Sequence, residues 1–289
     1  MPERFSIVFA GTPEFSVPSL ESLIAHPACK VTLVISQPDK PVGRKQVMTP
    51  PPVKLCAEKH GIRVTQPKNI NRDLSWKNTD CDFLVVVAYG QILSKEILEI
   101  PNIAPVNVHA SLLPRWRGAS PIQNALLAGD TETGVTVQRM SETLDAGDIL
   151  AQCTTPIDER ETFASLHDRL APLGAQLLVE TLTKPLSPVT QDETGVTYCS
   201  KLTRKNGDVD PAKMSAEEID RCVRALVPWP GVRCNINWVP LKLLETSLTE
   251  EKGALALPCT ENSTLYIKTL QPAGKKPMTA TAWEHGCHP

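Results

Sequence analysis

Short apolar runs alternate with amphipathic segments along the first two thirds of the chain. Residues 6–10, 31–36 and 83–88 are almost uninterrupted runs of apolar side chains, which predicts strands buried on both faces. Residues 16–25 and 52–60 carry apolar side chains at helical spacing. Buried strands that alternate with helices predict an α/β fold with a mostly parallel sheet covered by helices.

The alternation continues towards the middle of the chain, with one interruption. Residues 37–52 are rich in proline, glycine and basic side chains and are predicted to form a loop. Residues 106–109 and 134–140 are predicted to be further strands, and residues 163–182 a long helix. The turn at Gly11 lacks the GxGxxG spacing of a dinucleotide site, which favours a tight strand-to-helix turn.

The pattern changes after a proline-rich stretch near residue 185. A helix is predicted over residues 215–226, because Ser215 and Glu218 have the spacing of a capping box. Short β-like segments without helical periodicity follow, so the C-terminal part is predicted to be a small β domain. The predicted division is a first domain over residues 1–190, a connection over 191–204 and a second domain over 205–289.

The composition is that of an ordinary globular protein. The 289 residues are 41% hydrophobic and 21% charged, and their number suits one large or two unequal domains. A net charge of −2 indicates no general attraction to a polyanion, although residues 200–289 carry 12 basic against 10 acidic side chains. An aromatic content of 4% argues against an extended surface for stacking nucleic-acid bases.

The cysteines and the N-terminus bear on the cellular compartment. Nine cysteines show no CxxC pair and no zinc-binding spacing, which predicts buried thiols in a reducing compartment and no metal site. Residues 1–4 run directly into a strand, unlike a signal peptide, and no apolar run approaches the ~20 residues that span a membrane. We therefore expect a cytoplasmic protein, in a bacterial cytosol rather than an organelle matrix.

Two polar side chains end the strand predicted at residues 106–109. Asn107 and His109 are two residues apart, so in an extended chain they point to the same face. Ligands of α/β proteins bind beyond the carboxyl ends of the strands, and an amide beside an imidazole suits a reaction that develops negative charge on a carbonyl oxygen. The alternative is a histidine and an asparagine with purely structural hydrogen bonds.

A second polar segment follows the strand predicted at residues 134–140. Asp145 and Asp148 flank Gly147 in this segment. They are either catalytic carboxylates or solvated aspartates of a turn, and spacing alone does not bring Asp145 to His109.

Longer segments carry a resemblance to a family. Asn107-Val-His109-Ala-Ser111-Leu-Leu-Pro114, Arg117-Gly118-Ala-Ser-Pro121 and Leu144-Asp145-Ala-Gly147-Asp148 together resemble the 10-formyltetrahydrofolate-dependent formyltransferases. The resemblance implies a Rossmann-like first domain and 10-formyltetrahydrofolate as the co-substrate. It also implies a catalytic triad of Asn107, His109 and Asp145, and folate contacts from Ser111, Leu112, Leu113 and Pro114.

Other segments bear on the formyl acceptor. Residues 37–45, 87–91 and 228–231 are similar to those of family members that act on methionyl initiator tRNA. The resemblance implies an OB-type β-barrel as the second domain, which helps to hold tRNA, and tRNA contacts from Arg44 and Lys45. A solvated surface loop is the alternative for these two cations. No membrane, metal or second subunit is expected to take part, so the chain is predicted to be a monomer.

Three other functions stay open at this stage. A related formyltransferase would act on a small amine, such as glycinamide ribonucleotide or an amino sugar nucleotide. A formyl-folate hydrolase would release formate without tRNA, and a non-catalytic RNA-binding protein would transfer nothing. Assays of formyl acceptors separate the three.

Overall fold

The computed structural model describes residues 4–43, 45–236 and 238–286. The described residues form two compact units, each built from three stretches of chain. The first unit takes those within 1–118, 132–156 and 167–198, and the second takes those within 119–131, 157–166 and 199–289.

The secondary structure consists of short strands and mostly short helices. The strands are β1 (Phe5–Gly11), β2 (Cys29–Ile35), β3 (Lys40–Val42), β4 (Val47–Thr49), β5 (Val64–Thr65), β6 (Phe83–Val87), β7 (Ala104–His109), β8 (Arg117–Gly118), β9 (Glu132–Arg139), β10 (Ile149–Pro156), β11 (Tyr198–Cys199), β12 (Val232–Ile236), β13 (Val239–Ser247), β14 (Leu255–Pro258), β15 (Thr264–Pro272) and β16 (Met278–Thr279). The helices are α1 (Val17–Ala25), α2 (Pro52–Lys59), α3 (Lys95–Leu98), α4 (Pro121–Ala128), α5 (Phe163–Leu182), α6 (Ala216–Leu226) and α7 (Ala280–Gly286). Single 3-10 turns lie at Glu14–Ser16, Glu193–Gly195 and Arg204–Gly207.

A seven-stranded sheet forms the centre of the first unit. Its strand order is β10-β9-β7-β6-β1-β2-β5. From β7 to β5 each strand runs parallel to the next, whereas at the other edge β9 is antiparallel to both β7 and β10. The predicted α/β fold with a mostly parallel sheet is therefore confirmed.

The central strands are buried as their apolar sequences require. Ile7, Phe9 and Val85 have no solvent exposure, because both faces of a largely parallel sheet are covered. The turn after β1 is tight, since a Cβ atom at Gly11 would lie 2.7 Å from the Phe9 ring. The Ser16 hydroxyl donates a 2.6 Å hydrogen bond to the carbonyl oxygen of Val87 and ties this turn to the end of β6.

The sequence pattern missed several elements at the margins of the sheet. The prediction of a loop over residues 37–52 was wrong in part, because β3 and β4 form a small antiparallel hairpin there. Every described residue of this hairpin is exposed, so it shows no apolar alternation by which a strand could be predicted. The edge strand β10 was also missed, because its residues are mostly polar or only half-buried.

The second unit contains a five-stranded antiparallel sheet. Its order is β12-β13-β15-β14, with β16 paired to β15, and α6 packs on β13 and β15. The predicted capping box begins α6: the Ser215 hydroxyl accepts from the Glu218 amide at 3.3 Å, and the Glu218 carboxylate accepts from the Ser215 amide at 2.7 Å. The small β domain is confirmed, while closure into an OB-type barrel stays a prediction.

The helices and cysteines bear on the expected cellular compartment. None of the described helices has the length and apolar character that would let it cross a membrane. Eight cysteines fall within the described residues, all as thiols outside any disulfide, and six of them are buried. Burial raises the pKa of Cys81 to about 12 and the pKa values of Cys222 and Cys234 to about 11, so these thiols stay protonated at neutral pH.

Candidate active site

Strand β7 places two of the predicted site residues. Asn107 and His109 lie on one face of the strand, while Val106 and Val108 pack into the apolar core on the other face. Asn107 is half-buried, and His109 is 6% exposed. The strand therefore presents an amide and an imidazole together.

The loop after β9 places the third predicted site residue, Asp145. Asp145 has a left-handed backbone with a φ of 52°, an unfavourable conformation for a residue with a side chain. Gly147 lets the loop turn close to β9, because a Cβ atom there would lie 1.7 Å from the carbonyl oxygen of Arg139. The backbone of this loop is thus bent so that Asp145 points back towards the sheet.

The Asp145 carboxylate is the centre of a hydrogen-bonded cluster. Its Oδ1 atom lies 3.0 Å from Gln138 Nε2, 3.4 Å from Asn107 Nδ2 and 3.6 Å from His109 Nδ1. Its Oδ2 atom accepts a 2.9 Å hydrogen bond from the amide of Gly118. The side chain is 8% exposed. The fold therefore brings Asn107, His109 and Asp145 together, although 36 residues separate the last two in the sequence.

A backbone carbonyl fixes the orientation of the imidazole. His109 Nε2 lies 2.8 Å from the carbonyl oxygen of Trp116, and a carbonyl only accepts, so Nε2 carries a proton. Trp116 itself has a left-handed backbone with a φ of 62°. The other nitrogen, Nδ1, faces Asp145 and lies 3.6 Å from its Oδ1 atom, which is longer than a hydrogen bond.

A buried amide supports the Asp145 loop from behind. Gln191 Nε2 donates to the carbonyl oxygens of Asp145 at 2.9 Å and Gly147 at 2.7 Å. The side-chain oxygen of Gln191, Oε1, accepts hydrogen bonds from Arg117 Nε at 3.0 Å and Nη2 at 2.8 Å. Arg117 is 2% exposed and also pairs with Glu193. This network holds the loop by its backbone and leaves the carboxylate to other donors.

Thr136 anchors the segment for which folate contacts were predicted. Its hydroxyl donates to the Ser111 carbonyl oxygen at 2.7 Å and accepts from the Leu113 amide at 3.1 Å. Ser111 has no solvent exposure and Leu113 is 3% exposed, whereas Leu112 and Pro114 are half-buried. The segment is therefore rigidly held, with Leu112 and Pro114 offering the accessible apolar surface.

The predicted tRNA-contacting cations lie in the turn between β3 and β4. Lys45 is exposed, and it makes no hydrogen bond or ion pair with the rest of the described chain. Arg44 lies outside the described residues. The hairpin also exposes the apolar side chains of Val42, Val47 and Met48.

One group of three possible metal ligands occurs in the described part of the chain. Glu21 on α1, Cys56 on α2 and His60 just after α2 bring ligand atoms within 4.8 Å of one another. Glu21 and His60 are exposed, and Cys56 is buried. The group shares no residue with the cluster around Asp145.

Four residues that hold Asp145 and the Ser111 segment were not predicted from the sequence. Gln138 and Thr136 lie on β9, with 1% and 0% exposure, and their side chains reach Asp145 and the Ser111 segment. The available signal is two polar residues at alternate positions of β9, the second strand from one edge of the sheet. The contributions of Gln191 and Arg117 depend on long-range packing, which no local pattern reveals.

The sequence matches one protein family along nearly its whole length. Residues 4–182 match "Formyl transferase" and residues 201–288 match "Formyl transferase, C-terminal domain". The chain therefore belongs to the formyl transferase family.

Named relatives make the likeness more specific. The chain is 45% identical to a methionyl-tRNA formyltransferase of Halorhodospira halophila, across 97% of this chain and 96% of that protein. It is 43% identical to a methionyl-tRNA formyltransferase of Magnetococcus marinus, across 97% and 95%.

A solved structure shares the fold at low sequence identity. The N-formyltransferase from Helicobacter canadensis, in complex with folinic acid and dTDP-3-aminofucose, superposes with a TM-score of 0.69. The identity is 18%, and the match covers 93% of this chain and 99% of that one.

Proposed function

We propose that this protein transfers the formyl group of 10-formyltetrahydrofolate to the α-amino group of methionine carried by initiator tRNA. The convergence of Asn107 and His109 on one oxygen of the buried Asp145 carboxylate is the observation that carries the proposal. The two methionyl-tRNA formyltransferases that match nearly end to end support the choice of acceptor.

The reaction makes one C–N bond and breaks another. The α-amine attacks the formyl carbon, the bond from that carbon to the folate nitrogen breaks, and one proton passes from the amine to the departing nitrogen. An α-amine has a pKa of about 7.7–8.0, so an appreciable fraction is already neutral near pH 7. The harder tasks are to stabilise the negative oxygen on the formyl carbon and to deliver the proton.

Asn107 is suited to the first task. Its amide is half-buried, and its 3.4 Å contact with Asp145 is long for a hydrogen bond to a carboxylate. The amide can therefore turn to donate to the formyl oxygen as that oxygen becomes negative. One such donor contributes on the order of 10²–10³ in turnover.

His109 and Asp145 are suited to the second task. The Trp116 carbonyl holds the ring by Nε2, and Nδ1 faces the Asp145 carboxylate. An imidazole beside a buried carboxylate can give and take up a proton, so the pair moves a proton directly or through water. These steps use no metal ion.

We assign the folate contacts to Ser111, Leu112, Leu113 and Pro114. The Thr136 hydroxyl holds the backbone of this segment, and a rigid segment loses little entropy when it binds. Leu112 and Pro114 keep accessible surface for an apolar part of the co-substrate.

We assign tRNA contacts to Arg44 and Lys45. The exposed position of Lys45 in the β3–β4 turn supports a contact with phosphate, because a cation without an internal partner is free to neutralise one.

We further propose how the chain is organised and where it works. Residues 1–190 form the catalytic domain, 191–204 the connection, and 205–289 an OB-type β-barrel that binds tRNA. The two family matches, which end at residue 182 and resume at residue 201, support this division. The protein works as a monomer in the bacterial cytosol.

The decisive assay measures transfer of labelled formyl from 10-formyltetrahydrofolate to charged initiator tRNA. Charged elongator tRNA, glycinamide ribonucleotide and an amino sugar nucleotide serve as competing acceptors, and released formate reports hydrolysis. Asn107→Ala is expected to lower turnover on the order of 10²–10³ while the fold is retained. Transfer to a small amine in preference to tRNA, or formate release alone, would refute the proposed acceptor.

A further inference from the structure

Gln138 contacts Asp145 without taking part in the proposed proton transfer or oxyanion stabilisation. It lies on β9 directly opposite Asn107 on β7, in the register of the two strands. Its side chain is 1% exposed, and its Nε2 atom lies 3.0 Å from Asp145 Oδ1. Gln138 is thus a buried donor to the same oxygen that Asn107 and His109 approach.

The orientation of this amide has a consequence. A carboxylate only accepts hydrogen bonds, so the nitrogen of the Gln138 amide must face Asp145. The Gln138 carbonyl oxygen is then buried, and it receives no hydrogen bond from any described residue. An unpaired buried acceptor is unfavourable, and methionine would fill a similar space without one. Packing alone therefore favours an apolar side chain here, which points to the donor itself as the reason for glutamine.

The donors around Asp145 fall into two groups by distance. Gln138 at 3.0 Å and the Gly118 amide at 2.9 Å hold one carboxylate oxygen each. Asn107 at 3.4 Å and His109 at 3.6 Å are further away. The first two donors keep the carboxylate in place even when the Asn107 amide turns towards a substrate.

We propose that Gln138 is a positioning residue that holds Asp145, so that Asn107 can donate to the formyl oxygen without releasing the carboxylate. This inference rests on the proposed formyl transfer and adds a residue to it. Gln138 is not expected to touch either substrate, so it acts on turnover rather than on binding.

The test replaces Gln138 by side chains of similar length. Gln138→Met removes the donor and is expected to lower kcat about 10- to 100-fold, because a loosened catalytic group spends less time in the reactive geometry. The KM values for tRNA and for 10-formyltetrahydrofolate should change by less than about twofold. Gln138→Glu should be slower still, because it adds a negative charge beside Asp145.

A double-mutant cycle separates positioning from packing. In the Asp145→Asn background, Gln138→Met should cause little further loss, because the group that it positions has already been disabled. A packing defect would lower kcat by the same factor in both backgrounds. Thr133→Val is the matched control, since it removes a buried hydroxyl from the same strand without contacting Asp145.

The outcomes distinguish this inference from the proposed function. If wild-type protein transfers no formyl group to initiator tRNA, or if Asp145→Asn keeps its turnover, the proposed function fails. If both results stand but Gln138→Met keeps kcat within about twofold of wild type, the role of Gln138 alone is overturned. All variants are assayed below their urea unfolding transitions, so that lost folding is not read as lost positioning. If Gln138→Met is unfolded under the assay conditions, Gln138→Glu replaces it in the double-mutant cycle. Gln138→Glu must then lower kcat in the wild-type background and cause little further loss in the Asp145→Asn background.

Discussion

Two buried carboxylates, one in each unit of the protein, are held in opposite ways. Asp145 is surrounded by neutral or titratable donors: two amide side chains, one backbone amide and an imidazole. Asp220 on α6 has no solvent exposure and pairs with two arginines, Arg160 and Arg224, each at 2.8 Å. One carboxylate is surrounded by weaker partners, the other by permanent positive charge.

The strength of the partners indicates the use of each carboxylate. Two guanidinium groups donate to one oxygen of Asp220, and the Thr246 hydroxyl donates to the other at 2.7 Å, so both oxygens have close partners. Asp220 therefore links α6 to the strand β13 and to the segment before α5, a role that stabilises the fold. Asp145 keeps two loosely bound neighbours, Asn107 and His109, and a loosely bound donor is one that a substrate can recruit.

The largest expected effect is on turnover when Asp145 is changed. Asp145→Asn should lower kcat on the order of 10²–10³, or about 2.7–4 kcal/mol, because an amide cannot take up and pass on a proton as a carboxylate does. The unfolding transition in urea should stay close to that of the wild type. Normal turnover in this variant would remove Asp145 from the mechanism and erase the contrast with Asp220.

The second expected effect is on stability when Asp220 is changed. Asp220→Asn should lower the free energy of unfolding by about 3 kcal/mol, because removal of one partner leaves buried charge uncompensated. This is the low end of the range for buried pairs, since Arg160 is 51% exposed and can turn towards water. Urea unfolding measures the loss, and kcat per folded molecule should stay near that of the wild type. A large fall in kcat without loss of stability would contradict the structural role.

The comparison also shows where sequence analysis succeeds. The strands of the central sheet and the capping box of α6 follow from local pattern, because burial and helix capping impose their own spacing. The proximity of Asp145 to His109 does not follow from spacing, since a loop and a sheet register bring them together. The motif resemblance supplied that pairing before the geometry was known.

The residues that support the site were beyond local pattern. Gln138 contacts Asp145 from the strand β9. Gln191 contacts it from a segment 46 residues further along the chain. An isolated glutamine in a sequence is most often a surface residue, so neither was a candidate. Asp220 was not a candidate either, because in the sequence of α6 it is one of several acidic residues.

A smaller effect is expected when one neutral donor is removed from each carboxylate: Gln138 from Asp145, or Thr246 from Asp220. Thr246→Val removes the hydroxyl that donates to Asp220, and it should lower the free energy of unfolding by about 1–3 kcal/mol without changing kcat. Gln138→Met should do the reverse, with turnover affected more than stability. Urea unfolding and formyl transfer, measured on both variants, test this crossed pattern. Equal effects of both variants on both quantities would show that the two carboxylates are not held for different purposes.

The smallest effect concerns the charge of Lys45, which pairs with no other described residue. Lys45 is exposed in the β3–β4 turn, so its influence on tRNA passes through water and is screened by salt. Lys45→Glu should raise the KM for tRNA about fivefold at low salt, or about 1 kcal/mol, and leave the KM for folate unchanged. Raising the ionic strength should shrink this effect, whereas the effects of Asp145→Asn and Asp220→Asn should persist, because buried groups are screened far less.

The matched control for this last prediction is Lys77→Glu, which reverses an exposed charge outside the β3–β4 turn. Lys77→Glu should leave both KM values unchanged, because the assignment of tRNA to the β3–β4 turn gives Lys77 no phosphate to meet. An equal rise in KM from both reversals would mean that tRNA senses only the net charge of the protein. The exposed cations would then contribute a general field, and specific recognition of tRNA would have to come from other residues.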